Sequence, residues 1–440
     1  MSQNHAMRQT AWQIINNALK AVDPAAAVHN YFNAHPDIET QIQNTPGRVF
    51  VVGAGKAGSP MALATSERFG NKIAGGLVIV KYDHLGKEVP SGITLKEAGH
   101  PVPDEAGLNA AQEIAALLNQ AGADDTILCL ISGGGSALLT LPVEGLTLAD
   151  LQDTTSSLLA AGSIINEINT IRKHLSAIKG GGLANMATPA RVFTLILSDV
   201  VGDPLEVIAS GPTVPDPTTF ADSWAIVKQY QLESKLPQPV IARLMAGLNG
   251  RIPDTPKPNN PLFLQVHNAI IGSNRIAAQA AVDTAQAAGY NAQLLSTFVE
   301  GEAREVARVV AGLAKGLARD EGRLSRPACM ILGGETTVTI KGKGKGGRNQ
   351  EIALAAGLAL AGWSNVLVVC LGTDGTDGPT DAAGGFADGT TVSRATELGL
   401  NPLEYLHNND AYNILAALDD LIITGPTNTN VNDLTLILVQ

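Results

Sequence analysis

The sequence predicts an α/β protein of two domains with mostly parallel sheets, and three observations lead to this prediction. Short apolar runs alternate with alanine- and leucine-rich helical stretches along most of the 440 residues. The runs are continuously apolar, which is typical of parallel strands that are covered on both faces. A proline-rich polar segment at 247–261 separates two such regions, as expected of a domain boundary.

Each apolar run is a predicted strand, and each stretch with helical apolar spacing is a predicted helix. The predicted strands are 49–52, 77–80, 126–131, 191–197, 262–271, 328–332, 366–371, 421–424 and 434–439. The predicted helices include 105–121, 148–161, 167–178, 275–288, 303–318 and 352–361. We place one α/β domain at residues 1–250 and a second at 260–440. Ligands of such sheets bind at the carboxyl ends of the strands.

Composition and charge limit the classes of function. The net charge is −11 and no basic tract with interleaved aromatic residues occurs, so a nucleic-acid partner is not expected. The three cysteines are far apart and form no CxxC pair, which predicts neither a zinc site nor a dithiol redox centre. The N-terminal segment lacks a signal-peptide pattern, and no apolar run approaches the ~20 residues of a membrane span. We therefore expect a cytoplasmic protein with no membrane partner.

The segment 335–350 carries the most concentrated chemistry of the chain. Glu335 opens a β-type run, a loop of alternating lysine and glycine follows at 341–347, and Arg348 precedes a helix pattern. Glycines let backbone amides approach a ligand, and a helix N-terminus favours negative charge. This pattern predicts a pocket for an anion with several oxygens, either a phosphate chain or a carboxylate. A mobile, solvated surface loop would show the same alternation.

A glycine-rich turn follows the first predicted strand. Gly53, Gly55 and Gly58 form the GxGxxG pattern of dinucleotide-binding turns, which makes the first domain Rossmann-like. Lys56 lies inside this turn, where its ammonium adds a full positive charge to the amide dipoles and suits a phosphate ligand. A surface lysine in a tight turn is the alternative.

A second glycine-rich turn follows the predicted strand at 126–131. Successive backbone N–H groups in such a turn can form an anion-binding nest. The pattern is not a nucleophile elbow, and no His/Asp pair lies at a triad spacing, so the serines are predicted to be hydrogen-bond donors or caps. The turn consists of Ser132, Gly133, Gly134, Gly135 and Ser136.

Charged residues near two further elements extend the set. Arg172 and Lys179 lie seven residues apart, which places them on one face of a predicted helix, from which they could reach a phosphate. A solvated basic face is the alternative. Asp199 and Asp203 follow a predicted strand, where α/β enzymes hold Mg²⁺ or a general base. An Asx-turn explains each aspartate equally well.

A second acidic group follows the predicted strand at 366–371. Asp374, Asp377 and Asp381 lie among glycines without the order of an EF-hand, and they fit Mg²⁺ that bridges phosphates or hydrogen bonds to a polyol. His100, in a proline-fixed turn, is predicted to be structural, and a place in the lining of a pocket is the alternative. Cationic glycine-rich turns together with strand-end carboxylates are what phosphoryl transfer needs, so the pattern favours a kinase over a dehydrogenase.

The chain resembles the class II glycerate 2-kinases over nearly its whole length. This resemblance implies two α/β domains with the active site in the cleft between them and a MOFRL region at about 328–435. It also implies transfer of the γ-phosphoryl group of ATP to the 2-hydroxyl of D-glycerate, with a divalent metal. One departure is Asn428, where glycine is expected. The resemblance is carried by the motifs VVGAGKAG (51–58), AGHPVPDE (98–105), ISGGGSALL (131–139), IRKHLSAIKGG (171–181), SDVVGDP (198–204), ASGPTVPD (209–216), GGET (333–336), GGRNQE (346–351) and GTDGTDGPTDAAG (372–384).

The resemblance implicates Lys56 and Arg348 in the active site. We expect Lys56 to contact the transferring phosphate and Arg348 to contact the glycerate carboxylate or the charge of the transition state. Asp199 is expected to orient the substrate hydroxyl. The expected Mg²⁺ ligands are Glu335 with one of Asp374 and Asp377, and the expected ATP-binding residues are Gly53, Gly55, Gly58, Ser132, Gly133, Gly134, Gly135, Ser136, Lys179 and Asp203.

Two alternative functions stay open at this stage. The GxGxxG turn supports an NAD(P)H-dependent hydroxypyruvate reductase, but the next strand ends at Lys81 and Tyr82, and Asp83 comes slightly late for an NAD-binding acid. A non-catalytic binder of phosphorylated metabolites would leave the strand-end acids without a purpose. The choice between C2 and C3 of glycerate, and the formation of a homodimer, are also left open.

Overall fold

The computed structural model describes residues 3–322 and 324–440 and has the predicted α/β class, with two six-stranded sheets. The strands are β1 (Val49–Ala54), β2 (Ile73–Lys81), β3 (Thr94–Ala98), β4 (Thr126–Ile131), β5 (Arg191–Leu197), β6 (Val266–Gly272), β7 (Asn291–Glu302), β8 (Ala328–Thr337), β9 (Val366–Gly372), β10 (Gly384–Asp388), β11 (Leu421–Ile422) and β12 (Asp433–Val439).

The helices occupy the connections between strands. They are α1 (Gln3–Ala21), α2 (Pro24–Ala34), α3 (Pro36–Gln43), α4 (Gly58–Phe69), α5 (Glu105–Leu118), α6 (Gly135–Leu138), α7 (Leu148–Ala160), α8 (Ile165–Leu175), α9 (Gly182–Ala187), α10 (Phe220–Gln229), α11 (Gln238–Leu248), α12 (Asn274–Ala287), α13 (Ala303–Ala318), α14 (Arg348–Ala359), α15 (Thr391–Glu397), α16 (Pro402–His407) and α17 (Ala411–Ala417).

The chain folds into two compact units, which we describe separately. The N-terminal unit comprises Pro24–Ser198 and Asp203–Ile271. The C-terminal unit comprises the helix that ends before Asp23, the short segment Asp199–Gly202 and Gly272–Gln440. The sequence-based boundaries, 1–250 and 260–440, stay a prediction. The compact units differ from them because α1 and the segment after β5 belong to the C-terminal unit.

The sheet of the N-terminal unit has the strand order β3-β2-β1-β4-β5-β6. Strand β1 pairs in parallel with β2 on one side and with β4 on the other, and β2–β3 and β4–β5 are also parallel pairs. The strand order reverses between β1 and β4, which is the topological switch point where open α/β sheets bind ligands. Every residue of β1 and β4 is buried, which is why these strands appear as continuous apolar runs.

The sheet of the C-terminal unit is mixed, with the order β11-β10-β9-β12-β8-β7. Among the described strand pairs of this sheet, only β7 and β8 are parallel, whereas β12 runs antiparallel to both of its neighbours, β8 and β9. The expectation of mostly parallel sheets therefore holds for the first sheet and is wrong for the second. A fully buried antiparallel strand such as β12 has the same continuously apolar pattern as a parallel strand, so the sequence pattern does not distinguish them.

All nine predicted strands are present, and three strands were not predicted. Strands β3 and β7 lie at sheet edges and carry many exposed or half-exposed residues. Strand β10 is short and begins with two glycines, which are depleted in strands. The run at 262–271 begins as a 3₁₀ turn, Pro261–Gln265, and becomes a strand only at Val266.

Helix α1 is bound to the C-terminal unit by both charge and hydrogen bonds. Arg8 Nη2 lies 2.5 Å from a carboxylate oxygen of Asp420, which is buried, and 3.6 Å from Asp388. The carbonyl of Val22, the residue directly after α1, accepts a hydrogen bond from the Thr429 hydroxyl at 2.7 Å. These contacts explain why helix α1 belongs to the same unit as the last third of the chain.

A helix that crosses a membrane needs a minimum length and a minimum hydropathy. None of the helices in the described ranges meets both requirements.

We expect Gly55→Ala to destabilise the N-terminal unit, with Gly70→Ala as the control. Gly55 has φ +149°, and a methyl group there would meet backbone atoms of Ser132 at 2.7 Å. Gly70 has φ −45° and nothing within 4 Å of such a methyl group. Backbone strain of this kind costs on the order of 1–3 kcal/mol. Thermal unfolding followed by circular dichroism should show a lower Tm for Gly55→Ala only; equal values for both variants would contradict this packing.

Candidate active site

The predicted site residues fall into two groups, one in each unit. Lys56, Lys179 and both glycine-rich turns lie in the N-terminal unit, whereas Arg348 lies in the C-terminal unit with the candidate metal ligands. Asp199 is part of the C-terminal unit, and its charge reaches Glu335. Asp203 belongs to the N-terminal unit and has a φ of 56°.

In the N-terminal unit, the two glycine-rich turns interlock at the switch point. The amide of Lys56 donates to the carbonyl of Gly133 at 2.8 Å, and the amide of Ala57 donates to the hydroxyl of Ser132 at 3.0 Å. In return, the amide of Ser132 donates to the carbonyl of Ala54 at 3.1 Å. The turn after β1 and the turn after β4 are therefore held as one rigid feature.

The glycines of the first turn allow close packing inside the protein. A methyl group at Gly53 would lie 2.1 Å from the carbonyl oxygen of Leu130, and one at Gly58 would lie 2.8 Å from Val78 Cγ1. These roles, a tight turn and close helix–strand approach, are those of the glycines in dinucleotide-binding turns. Strand β2, however, ends at Lys81, and a lysine cannot accept the ribose hydroxyls as an acidic residue would.

The switch point carries positive charge without a carboxylate partner. The Lys56 ammonium forms no ion pair among the described residues, and the amides of Gly133 and Gly134 find no acceptor there either. Gly133 is a buried residue, and folded proteins seldom leave a buried N–H group without an acceptor. A lysine with two adjacent free amides is an anion-binding arrangement.

Arg172 and Lys179 converge on the second turn, although not as predicted. Helix α8 ends at Leu175, so the two side chains do not share a helix face. Instead, both donate to the carbonyl of Ser136, Lys179 at 2.6 Å and Arg172 at 3.1 Å. Burial, and then the charge of Arg172, lowers the pKa of Lys179 well below its ordinary value. Lys179 therefore supports the carbonyl end of α6 and is enclosed by protein.

The turn that precedes Gly211 packs against the same feature. The hydroxyls of Ser210 and Ser136 lie 2.8 Å apart, and Ser210 also donates to Asn169 Oδ1 at 3.1 Å. Ala209 and Ser210 have φ values of 50° and 61°, which are costly for residues other than glycine. Such strain concentrates at functional sites.

In the C-terminal unit, the organising group is Arg348, the first residue of α14. Its Nε and Nη2 atoms donate to both carboxylate oxygens of Asp433 at 2.6 and 2.9 Å, and Nη1 lies 3.0 Å from Glu335 Oε1. Three of its five N–H groups are thus engaged. The side chain is 32% exposed and lines a cavity of about 790 Å³, so its remaining donors are available to a ligand.

The carboxyls around Arg348 have perturbed pKa values because they are buried together. Burial raises the pKa of Asp433, although Arg348 opposes this shift. Burial likewise raises the pKa of Glu335, with further contributions from the charges of Asp433 and Asp199. Burial lowers the pKa of Arg348 to a smaller extent than its acidic neighbours raise it, and the net change is upward. Cationic ligands are favoured where several carboxylates share one arginine.

Asp377 caps helix α14 from a distant loop. Its carboxylate oxygens accept the backbone amides of Asn349 at 3.2 Å and Gln350 at 2.9 Å. Asp377 is only 3% exposed, and this burial raises the pKa of its carboxyl to about 6. Both oxygens are therefore used for structure. Within the described part of the chain, Asp374 accepts a side-chain hydrogen bond at Oδ1 alone, from the amide of Thr376 at 3.1 Å, and its Oδ2 has no partner there.

The predicted metal ligands line one cavity but are not arranged as a metal site. Glu335, Asp374 and Asp377 all face it. No cluster of three or more His, Cys, Asp or Glu side chains in the described ranges has the geometry to hold a metal ion. Mg²⁺ is usually bound by one or two carboxylates together with substrate phosphates. The oxygens of Glu335 and Asp374 fit that requirement, whereas those of Asp377 are engaged by α14.

In the first part of the Lys–Gly loop, residues 341–345, the backbone amides donate to protein acceptors. The Oδ1 atom of Asn409 accepts the amides of Lys341 and Gly342 at 2.8 and 3.0 Å. Two further loop amides, those of Lys343 and Lys345, donate to the side chains of Asn408 and Asp410. Gly342 and Gly344 therefore serve packing inside the protein, because a methyl group at either would collide with the segment 408–410. The expectation that glycine amides of this loop approach an anion stays a prediction for Gly346 and Gly347, which line the cavity.

A buried chain of contacts fixes the loop to the helices beneath it. Asn409 Nδ2 donates to Glu351 Oε2 at 3.0 Å, and Glu351 in turn accepts Arg304 Nη2 at 2.7 Å. What the loop presents outward is therefore its lysine side chains, which are exposed.

The sequence reasoning did not select Asp433 or Asn409. Asp433 begins a strand, whereas ligand-binding acids of parallel sheets are expected to follow strands. Because β12 is antiparallel, its first residue pairs with Gly334 of β8 and Gly372 of β9, at the carboxyl ends of both. Asn409 follows a short helix in a polar segment and has no motif around it. The one feature of the sequence that could have pointed to Asp433 is its position directly before the predicted strand at 434–439.

Comparison with known proteins gives concordant results. The model described as "Domain of unknown function (DUF4147)" matches residues 10–245, and that of the MOFRL family matches residues 328–433. A D-glycerate 2-kinase of Thermotoga maritima is 42% identical and covers 99% of both chains. A protein of Agrobacterium vitis named putative hydroxypyruvate reductase is also 42% identical, over 98% of this chain and 94% of its own. The crystal structure of a Thermotoga maritima glycerate kinase superposes with a TM-score of 0.91 at 41% identity, covering 99% of this chain and 100% of its own.

We expect Asn409→Ala to loosen the Lys–Gly loop, with the exposed Asn16→Ala as the control. The substitution removes two bonds to loop amides, each of which contributes about 0.5–1.5 kcal/mol, so the open population should rise about tenfold. Limited trypsin digestion should cut at Lys341, Lys343 or Lys345 correspondingly faster. Unchanged digestion of Asn409→Ala would show that Asn409 does not hold the loop.

Proposed function

This chain belongs to the glycerate kinase family whose members carry a MOFRL domain, and on that premise we propose that it transfers the γ-phosphoryl group of ATP to the 2-hydroxyl of D-glycerate. The observation that carries this proposal is the presence of two complementary sites: a cationic one without carboxylate partners around Lys56, and an acidic one around Arg348. Phosphoryl transfer requires cations on the transferring group and carboxylates that hold Mg²⁺.

We assign the phosphate-binding role to the switch point of the N-terminal unit. Lys56 and the free amides of Gly133 and Gly134 supply a full charge and two oriented dipoles. The hydrogen bonds between the two turns hold these donors in place before the ligand arrives. Preorganised donors of this kind stabilise charge that develops in a transition state without reorganisation.

We assign the binding of a carboxylate or of transition-state charge to Arg348. Asp433 and Glu335 fix the guanidinium plane and leave its outer donors toward the cavity. Glu335 and Asp374 are the residues that would hold Mg²⁺, and the metal would supply charge neutralisation of the phosphates. Asp199, whose charge reaches Glu335, would orient the hydroxyl that is phosphorylated.

Hydroxypyruvate reduction is the second candidate because of the name of the Agrobacterium relative and the GxGxxG turn in a Rossmann strand order. The end of β2 argues against it. Lys81 stands where an NAD enzyme has an acidic residue for the ribose.

We expect purified protein to form ADP and 2-phosphoglycerate from ATP and D-glycerate only when Mg²⁺ is present. Phosphorus NMR identifies the product, and excess EDTA is expected to stop the reaction because it removes the metal that would offset the negative charge of the phosphates beside the carboxylates. A parallel assay follows NADH oxidation with hydroxypyruvate. NADH oxidation without any phosphorylated product would replace the kinase with the reductase.

We expect Lys56→Ala and Arg348→Ala each to lower turnover by at least ~100-fold, since each removes a preorganised cation from the reacting charge. Lys72→Ala and Arg308→Ala are matched controls, because both side chains are exposed on the surface of the same respective units. Steady-state kinetics with both substrates at saturation measures the effect. Near-normal turnover in either site variant would remove that residue from the catalytic set.

A further inference from the structure

His100 lies at the switch point beside Lys56, in a position that the roles assigned above do not use. A methyl group on the α-carbon of Gly134 would lie 3.0 Å from His100 Cδ2, 3.2 Å from its Nε2 and 3.5 Å from Lys56 Cγ. The imidazole and the lysine stem therefore border the same small space over Gly134. No hydrogen bond to either ring nitrogen of His100 is formed within the described chain.

The loop that carries His100 is held firmly from its other end. Asp104 accepts the Tyr82 hydroxyl at 2.7 Å and the amide of Gly107 at 2.9 Å, which also caps helix α5. Gln152 Nε2 donates to the carbonyl of Pro103 at 2.7 Å. These hydrogen bonds hold the loop, and the imidazole of His100 is half-buried. The ring is therefore preorganised, and mobility of the side chain does not account for its unpaired nitrogens.

The charges that face His100 are cationic. Burial, followed by the charges of Lys56, Lys81 and His84, lowers the pKa of His100 to about 4. Asp104 is the nearest acid on the same loop, and its oxygens are occupied by Gly107 and Tyr82. His100 is thus neutral at pH 7 and has one N–H donor. A neutral donor beside two lysines can bind an anionic oxygen without adding to the repulsion between cations.

We propose that His100 is a substrate-binding residue whose Nε2–H donates to an anionic oxygen held over Gly134, beside Lys56 and the free amides of the second glycine-rich turn. The oxygen belongs to a phosphoryl group of the nucleotide or to the carboxylate of the hydroxy acid. This inference rests on the proposed function, because it adds a donor to the same anion site. It revises the expectation that His100 is structural.

The kinetic test compares His100→Ala and His100→Gln with His407→Gln, which changes an exposed histidine on α16. We expect His100→Ala to lower kcat/KM at least about tenfold, and His100→Gln, whose amide places a donor near the former Nε2, to recover part of that loss. A higher KM for D-glycerate alone identifies the carboxylate as the partner, and a higher KM for ATP alone identifies a phosphoryl group. A lower kcat at unchanged KM values identifies the transferring group. Values within twofold of the unmodified enzyme for His100→Ala overturn the proposal.

A binding test separates this proposal from the proposed function. In protein with ¹⁵N-labelled histidines, the His100 Nε2 resonance is identified by its absence from the spectrum of His100→Gln. We expect ATP, inorganic phosphate or D-glycerate to shift this resonance, whether or not the protein turns these compounds over. No shift with any of the three overturns the role of His100, even if the unmodified protein is an active kinase. Thermal unfolding of each variant verifies that it is folded, and His100→Gln carries the kinetic test if His100→Ala is not.

Discussion

The site of the C-terminal unit depends on the pair formed by Asp433 and Arg348. Asp433 is 5% exposed and lies between the ends of β8 and β9, where an unpaired carboxylate would be strongly unfavourable. The bidentate bond from Arg348 satisfies it and fixes the start of α14. Removing one partner of such a pair costs on the order of 3–5 kcal/mol, because the other charge stays buried. Arg348 is therefore held in one orientation, and Glu335 and the adjoining cavity are arranged around it.

The two units place their polar groups at the ends of strands through different sheet topologies. In each, the polar groups gather at the carboxyl ends of strands, where the backbone leaves the sheet. The N-terminal unit does this with parallel strands and a reversal of order between β1 and β4. The C-terminal unit inserts the antiparallel β12 between β8 and β9, so that an acid from the start of a strand joins the acids that follow other strands. The cations differ accordingly: Lys56 forms no ion pair in the described chain, whereas Arg348 is oriented by two acids.

Glycine-rich turns with the same appearance in the sequence have different roles in the fold. Gly53 and Gly55 let β1 approach β4, and the second turn leaves the amides of Gly133 and Gly134 unpaired. The amides at 341–345 of the Lys–Gly loop instead donate to the segment 408–410, and these bonds join residues 65 to 68 positions apart in the chain. A glycine permits close approach, but it does not specify whether the approaching atoms belong to a ligand or to the protein.

The sequence by itself determined the α/β class, nine of the twelve described strands, several of the helices and the family, because apolar strands and amphipathic helices leave periodic patterns that neighbouring residues carry locally. It also predicted roles for Lys56 and Arg348 from the motifs around them. Only the tertiary structure decided the direction of β12, the pairing of Asp433 with Arg348, the use of Asp377 as a helix cap and the position of His100 over Gly134. Each of these depends on contacts between segments far apart in the chain, and such contacts have no periodic signature.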